Sequence, residues 1–488
     1  MKTTLLLALI ILSPNVLAKD TMLFIGGGGE PLDANETQFD ATLEGVGEFQ
    51  SKNRDSYAAT VSFNGGHSKT EKRIKKYFVS SEIVPNFTAA NYNKLIEDTI
   101  KKLSANPPQI RAGEKILIFI DSHGTEKQGE KTHSIAVAKS AMTNMNSGGT
   151  AVVNLDRLQA LADLAEKNNV KMGIIDGSCH SGNSLILANS KTCVIAGSGP
   201  NHYSYADFTK NYAEKMKKGK NLEEIFHEAR EANGGKGFPM ISSPAGMAAQ
   251  EELYPYLTPY MYYHDEYRGL SLDKIDSYLR ATTPPELMCV RDRDYAKLEA
   301  LVKLIEDLSK VAKASGEQAK SVNLSGLEKQ IAEYKKTQDE YLRKLNQLDL
   351  SKMDQKEIIN TEAFKTTKNG FTHRELLSTN FDYYIKEKED LIRNPSMSEA
   401  KRKQARDLIE YYKAAKVTRE RVIRENPQYA EQEKIIAGLK EDNDVGYNVA
   451  IKIMKEAHEA YNALYKIRES EMVKQGKGLP NPCKDFVL

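Results

Sequence analysis

Two residues carry the reactive chemistry of this sequence. Cys179 lies in Asp176-Gly-Ser-Cys-His-Ser-Gly182, and His123 lies in Asp121-Ser-His-Gly124. A thiolate is a nucleophile, and an imidazole moves protons near neutral pH. Each residue follows a short apolar run: Met172–Ile175 before the cysteine, Lys115–Ile120 before the histidine. Such runs, β-branched and followed by glycine or a turn, predict buried parallel strands. The carboxyl ends of strands are where open α/β sheets place their chemistry. Two such strands side by side would bring thiol and imidazole to one sheet edge. The small residues Gly177, Ser178, Ser181 and Gly182 would let a substrate backbone approach the sulfur. The plainer alternative is a core cysteine and an incidental histidine.

His123 and Cys179 are 56 residues apart, close to the histidine–cysteine spacing of about 50 residues described for caspases. Ser122-His123-Gly124 together with Ser178-Cys179-His180-Ser181-Gly182 resembles the caspase-like cysteine peptidases of clan CD, and Cys-His-Ser-Gly is most similar to metacaspases. The resemblance covers about residues 20–235. It implies an α/β/α sandwich with a mainly parallel sheet. It also implies an endopeptidase working by a Cys179–His123 dyad, with the backbone N–H groups of Gly124 and Cys179 as oxyanion hole. In legumain-like relatives the segment matching Ala196–Asp207 lines the specificity pocket and includes an acid, so Asp207 and Asp176 become candidates for recognising Lys or Arg. For Asp207 the alternative is a helix cap or a simply exposed carboxylate. Metacaspases and clostripain relatives carry an acid two residues before the cysteine; here Gly177 stands there, and Asp176 is one residue earlier. Family loops are common sites of activating cleavage, and Lys127, Lys131 and Lys139 offer basic points for it. Calcium activates some metacaspases, but this sequence has no acidic calcium-loop pattern. No cofactor is required by the dyad, and no metal-ligand spacing surrounds His180 and Cys179.

The flanking elements read as an alternating α/β pattern. Thr21–Ile25 and Tyr57–Phe63 predict strands, Asn86–Leu103 a helix, and Asn154–Lys167 an amphipathic helix with Leu155, Leu158, Leu161 and Leu164 on one face. Thr192–Ala196 predicts another strand, followed by helices over Tyr205–Lys217 and Leu222–Ala232. Strands alternating with helices imply a parallel sheet covered on both faces. Gly26–Gly29 is not a phosphate loop, because no Gly-Lys-Ser/Thr follows. Thr125–Thr150 reads as a hairpin or flap. His67, His133 and His202 lie in loops that could approach the site, each more simply incidental, while His458 falls on an apolar helix stripe.

From about Leu270 the pattern changes to heptad-like faces, such as Leu298, Leu301, Ile305 and Leu308, or Tyr447, Ile451, Met454, His458 and Tyr461. Long helices in a bundle or coiled coil are expected, with a break at Asn426-Pro427. The expected division is a signal peptide over 1–18, a peptidase domain over 19–268, a helical domain over 269–475 and a tail over 476–488. Met1-Lys2, the apolar Leu5–Leu12 and Val16-Leu17-Ala18 form the signal-peptide pattern, so export to the periplasm or medium is expected. Among four cysteines, Cys193 reads as a core thiol, and Cys289 and Cys483 could pair across the helical half in an oxidising compartment.

A net charge of +2, with lysine and glutamate interspersed, gives no argument for a nucleic-acid partner. No later run of about 20 apolar residues predicts a membrane span. The expected partner is a protein or peptide substrate, with intramolecular inhibition or oligomerisation as roles for the helical domain. The alternatives are a degenerate binding or scaffold protein acting through that domain, and an acyltransferase using the same Cys–His pair.

Overall fold

The computed structural model describes residues 19–29, 39–63, 67–125, 131–138, 152–204, 206–257, 324–345, 355–361, 370–393, 399–474 and 479–488, with a few isolated positions between 300 and 353 and residue 397. The chain forms two compact units, Met1–Glu252 with Leu464–Leu488, and Leu253–Ala463.

The first unit begins β1 (Asp20–Gly26), α1 (Asp40–Lys52), β2 (Tyr57–Phe63), α2 (Ser68–Tyr77), β3 (Glu82–Ile83) and α3 (Ala89–Ser104). It continues with β4 (Lys115–Asp121), β5 (Gly124–Thr125), β6 (Ser134–Ala136), β7 (Val152–Asn154), α4 (Arg157–Lys167) and β8 (Lys171–Asp176). After a 3-10 helix over Ser181–Leu187 come β9 (Thr192–Ala196), α5 (Ala206–Lys215), α6 (Leu222–Asn233), β10 (Met240–Ile241) and most of α7 (Pro244–Leu257). Seven strands form one sheet in the order β3-β2-β1-β4-β8-β9-β10. All neighbours are parallel except β10, which runs antiparallel to β9.

The central strands are apolar on both faces because both faces are covered. On one face Ile25, Ile118, Ile174 and Val194 pack with Tyr92 and Ile96 of α3 and Leu158 and Leu161 of α4. On the other an aromatic series runs from Phe63 to Phe24 at 4.7 Å, Phe24 to Phe119 at 5.8 Å, and Phe119 to Tyr212 of α5 at 6.2 Å. The helix ends follow local chemistry. Thr88 Oγ1 accepts the Asn91 N–H at the start of α3, and Asn221 and Glu224 form a reciprocal capping box on α6. The short strands β5, β6 and β7 make a separate antiparallel sheet, of which only β6 lies wholly within Thr125–Thr150, the segment read as a hairpin or flap. Lys131 lies beside β6, while Lys127 and Lys139 lie outside the described residues.

The second unit holds α8 (Leu324–Leu345), a two-stranded sheet of β11 (Lys356–Glu357) and β12 (Phe371–Thr372), α9 (His373–Ser378), α10 (Phe381–Arg393), α11 (Glu399–Glu425) and most of α12 (Gln428–Lys474). Leu376, Phe381, Val422, Ile436 and Leu439 share its core. The break between α11 and α12 falls at Asn426-Pro427. His458 is buried there, with Asn462 Nδ2 3.3 Å from its Nε2. The described residues of this region are helical with one small sheet. Among the described residues, no helix is long and apolar enough to cross a membrane.

The C-terminal residues return to the first unit. Helix α13 (Pro482–Asp485) carries Cys483, which is disulfide-bonded to Cys193 of β9. The expected pairing of Cys483 with Cys289 is therefore corrected, and so is the reading of Cys193 as a free core thiol; Cys289 lies outside the described residues. The Leu488 N–H donates to the Lys220 carbonyl at 2.8 Å, and Gly219 N–H donates to the Leu488 carbonyl at 2.7 Å. Buried Glu223 of α6 accepts from Asn481 Nδ2 at 2.9 Å and from the Tyr465 hydroxyl. Residues 464–488 thus pack as part of the sheet unit, where the sequence pattern placed 464–475 in the helical domain and 476–488 in a separate tail.

Candidate active site

Strand order reverses direction between β1 and β4. From β1 the chain builds outward through β2 and β3; from β4 it builds the other way through β8 and β9. In open α/β sheets the crevice outside such a switch point holds the ligand site. His123 lies just beyond β4, and Cys179 just beyond the neighbouring β8. In the parallel ladder Ile120 pairs with Asp176. The pairing persists past the strand ends, with Gly177 N–H donating to the Ile120 carbonyl at 2.8 Å and Gly27 N–H to the Asp121 carbonyl at 2.7 Å.

The backbones next to the two residues touch. A Cβ on Gly124 would lie 2.1 Å from the Cys179 carbonyl oxygen and 2.8 Å from its nitrogen, so only glycine permits this approach. His123 is half-buried. The Phe39 ring meets it edge-on at 5.2 Å, and a Cβ on Gly29 would lie 2.8 Å from its Cδ2. The glycine run after β1 therefore serves close backbone packing against the histidine loop. Ser122 Oγ reinforces this, accepting Gly28 N–H at 3.1 Å and donating to the Ala136 carbonyl at 2.8 Å. Ala136 N–H in turn donates to the His123 carbonyl at 2.8 Å.

Cys179 is half-buried, and the backbone N–H of Ser204 donates to its Sγ at 3.4 Å. A fixed donor there favours negative charge on sulfur. The chain turns sharply after the cysteine, with His180 in the left-handed region at φ 63°. His180 N–H donates to the His202 carbonyl at 2.7 Å, and Ser181 and Ser198 exchange backbone-to-hydroxyl bonds at 3.2 and 3.0 Å. These contacts tie the cysteine turn to the loop after β9. His180 is buried against Tyr203 and beside the Pro200 carbonyl, a structural setting.

The two acids named as candidates for a specificity pocket stand in different settings. Asp176 is wholly buried, and its oxygens accept from Ser178 Oγ at 2.6 Å, Ser178 N–H at 3.1 Å and Ser184 Oγ at 2.5 Å. It braces the turn and is inaccessible to a substrate side chain. Asp207 lies exposed in the first turn of α5. The position two residues before the cysteine has no room for an acid. A Cβ on Gly177 would lie 2.5 Å from Thr209 Cγ2 and 2.9 Å from Asp121 Oδ1.

Three further titratable groups surround the site. Burial pushes Asp121 up to about 8; a hydrogen bond from Thr42 opposes this, and the Asp176 charge adds to it. His133 is wholly buried with Nε2 2.7 Å from Ser178 Oγ and 3.5 Å from Asp176 Oδ2. Burial lowers its pKa, and Asp176 pulls the other way. Burial also holds His202 well below the ordinary range, helped by neighbouring His180. His67 is buried at the start of α2. Among the described residues, no cluster of three or more His, Cys, Asp or Glu side chains could hold a metal ion.

Sequence reasoning did not find the contacts of Ser184 and Ser204, nor the link from His133 to Ser178. Each depends on which loops meet at the sheet edge, and no local pattern encodes that. No protein-family model matches the chain, and no curated protein matches it.

Proposed function

We propose that the first unit is a caspase-like cysteine endopeptidase that hydrolyses peptide bonds with Cys179 as nucleophile and His123 as acid–base. The observation that carries this reading is the shared sheet edge: β4 and β8 are adjacent and parallel, and Gly124 abuts the Cys179 backbone beside the β1–β4 switch point. The strand order and the two loop motifs together support a caspase-like fold.

In the proposed reaction, the Cys179 thiolate attacks the peptide carbonyl carbon and a sulfur–carbon bond forms. The carbonyl electron pair moves to oxygen, stabilised by the backbone N–H groups of Gly124 and Cys179. His123, carrying the thiol's proton, passes it to the leaving amine as the carbon–nitrogen bond breaks. Water then attacks the thioester, giving a proton to His123. The acid leaves and the thiol is restored. Ser204 N–H stabilises the sulfur whenever it is charged.

Export fits the same reading, since a disulfide between Cys193 and Cys483 persists in an oxidising compartment. The test is mass spectrometry of a peptide library incubated with wild type and Cys179→Ala, with and without calcium. Cleavage by the wild type alone supports the proposal and reports the side-chain preference. Absence of cleavage by both proteins overturns it in favour of a binding role.

A further inference from the structure

We propose that His133 is a positioning residue for the nucleophile, acting through Ser178; this rests on Cys179 being that nucleophile. His133 Nε2 lies 2.7 Å from Ser178 Oγ, which lies 2.6 Å from Asp176 Oδ1. A hydroxyl has one proton to give. With Asp176 as acceptor, Ser178 donates to Oδ1 and accepts from His133 Nε2–H. The chain of bonds fixes the imidazole as its Nε2–H tautomer.

All the groups in this chain are buried, so water does not weaken the bonds between them. They converge on Cys179 from both sides. Ser178 precedes it, Ser184 follows on the 3-10 helix, and both hydroxyls donate to the one Asp176 carboxylate. The other end of the link reaches the histidine. His133 directly precedes β6, and Ala136 at the end of β6 donates its N–H to the His123 carbonyl at 2.8 Å. One short strand is therefore bonded to the His123 backbone at one end and, through Ser178, to the cysteine turn at the other. That is a device for fixing the spacing of a dyad whose members sit on separate loops.

The decisive pair of variants is His133→Gln and His133→Phe. Glutamine keeps an N–H near the Nε2 position, whereas phenylalanine keeps the ring volume and loses the donor. The readouts are the kcat and KM of peptide hydrolysis and the rate at which iodoacetamide alkylates Cys179, mapped by mass spectrometry. A nucleophile misplaced by about 1 Å costs about 100-fold. His133→Phe is expected to lower kcat by about 10- to 100-fold, with KM changed by less than about 2-fold and alkylation of Cys179 altered. His133→Gln is expected to retain most of the wild-type rate. Equal losses in both variants, or none in His133→Phe, would overturn the assignment. Ser178→Ala deletes only the bridging hydroxyl; it carries the same expectation and the same refutation, and serves if His133→Phe does not fold. Alkylation needs no substrate. A wild type that cuts no peptide therefore refutes the peptidase reading while the test of His133 still stands.

Discussion

Asp176 lies directly opposite Ile120 in the parallel ladder, so Cys179 and His123, each three residues farther along, leave the sheet level with each other. The 56-residue separation in sequence equals the register offset between β4 and β8. A slip of one residue would invert every side chain of β8. Met172 and Ile174 would then leave the α3–α4 core for the opposite face. The hydrophobic pattern that buries the strands therefore also aligns the chemistry.

The dyad itself gives the first prediction. His123→Ala is expected to reduce peptide hydrolysis by about 100- to 10,000-fold, the ordinary contribution of a general acid–base. Cys179→Ala is expected to abolish it. Both variants should unfold at the wild-type temperature within a few degrees, since neither side chain is fully buried. Steady-state hydrolysis together with thermal melts checks this. Residual turnover in Cys179→Ala would rule out the covalent route.

Gly177 gives the second. A methyl there meets Thr209 at 2.5 Å, and packing an extra carbon into a filled site costs about 1–3 kcal/mol. Gly177→Ala should lower unfolding stability by that amount. Adding Thr209→Ala should recover part of it, because the nearest obstructing atoms are then gone. Urea unfolding of the two variants and the double variant measures the coupling, and strict additivity would refute the clash.

The strands were the legible part of this fold. Tyr57–Phe63 and Thr192–Ala196 match β2 and β9, because apolar runs covered on both faces leave a direct signature. Helices α1 and α2 left little. Asp40–Lys52 has glycines at 45 and 47, and Ser68–Tyr77 carries only two buried residues, Thr70 and Ile74. In the site, Cys179 and His123 are visible because each ends such a run. The bracing of Ser178 by His133 joins residues 45 apart across a separate small sheet, and Asp176 became a pocket candidate through the resemblance, which carries no information on burial. Burial, which placed Asp176 inside, is a property of the whole layer. The partner of Cys483 was hidden for the same reason, since it is 290 residues away.

That disulfide carries the third prediction. Loss of a native disulfide typically costs about 2–5 kcal/mol. Cys193→Ala and Cys483→Ala should each destabilise the first unit by that order, and the double variant by little more than either alone. Dithiothreitol should lower the melting temperature of the wild type and leave the double variant unmoved. Calorimetry under both conditions decides it, and additive losses would show that the two sulfurs are not partners.

Asp121 carries the fourth. Its carboxyl titrates at about 8 in the fold, against 3.8 for an ordinary aspartate. Between those values the folded protein keeps a proton that the unfolded chain has released. Stability therefore falls as pH rises through the window, by about 1.4 kcal/mol per pH unit, and the slope ends above the folded value. The buried histidines act in the opposite sense and elsewhere. His133 and His202 are held below 6.5, so their contribution is complete above that value and is lost as pH falls below it. The interval from 6.5 to 8 therefore lies outside the range of His133 and His202 and inside that of Asp121. Asp121→Asn removes its titration, so the stability of wild type relative to this variant should decline by about 1.4 kcal/mol per unit near pH 6.5, easing to about half that slope at pH 8. Urea unfolding of both proteins at pH 6.5, 7, 7.5 and 8 measures it. Parallel curves would mean that Asp121 is already ionised in the fold, with a second buried negative charge beside Asp176 beneath the cysteine turn.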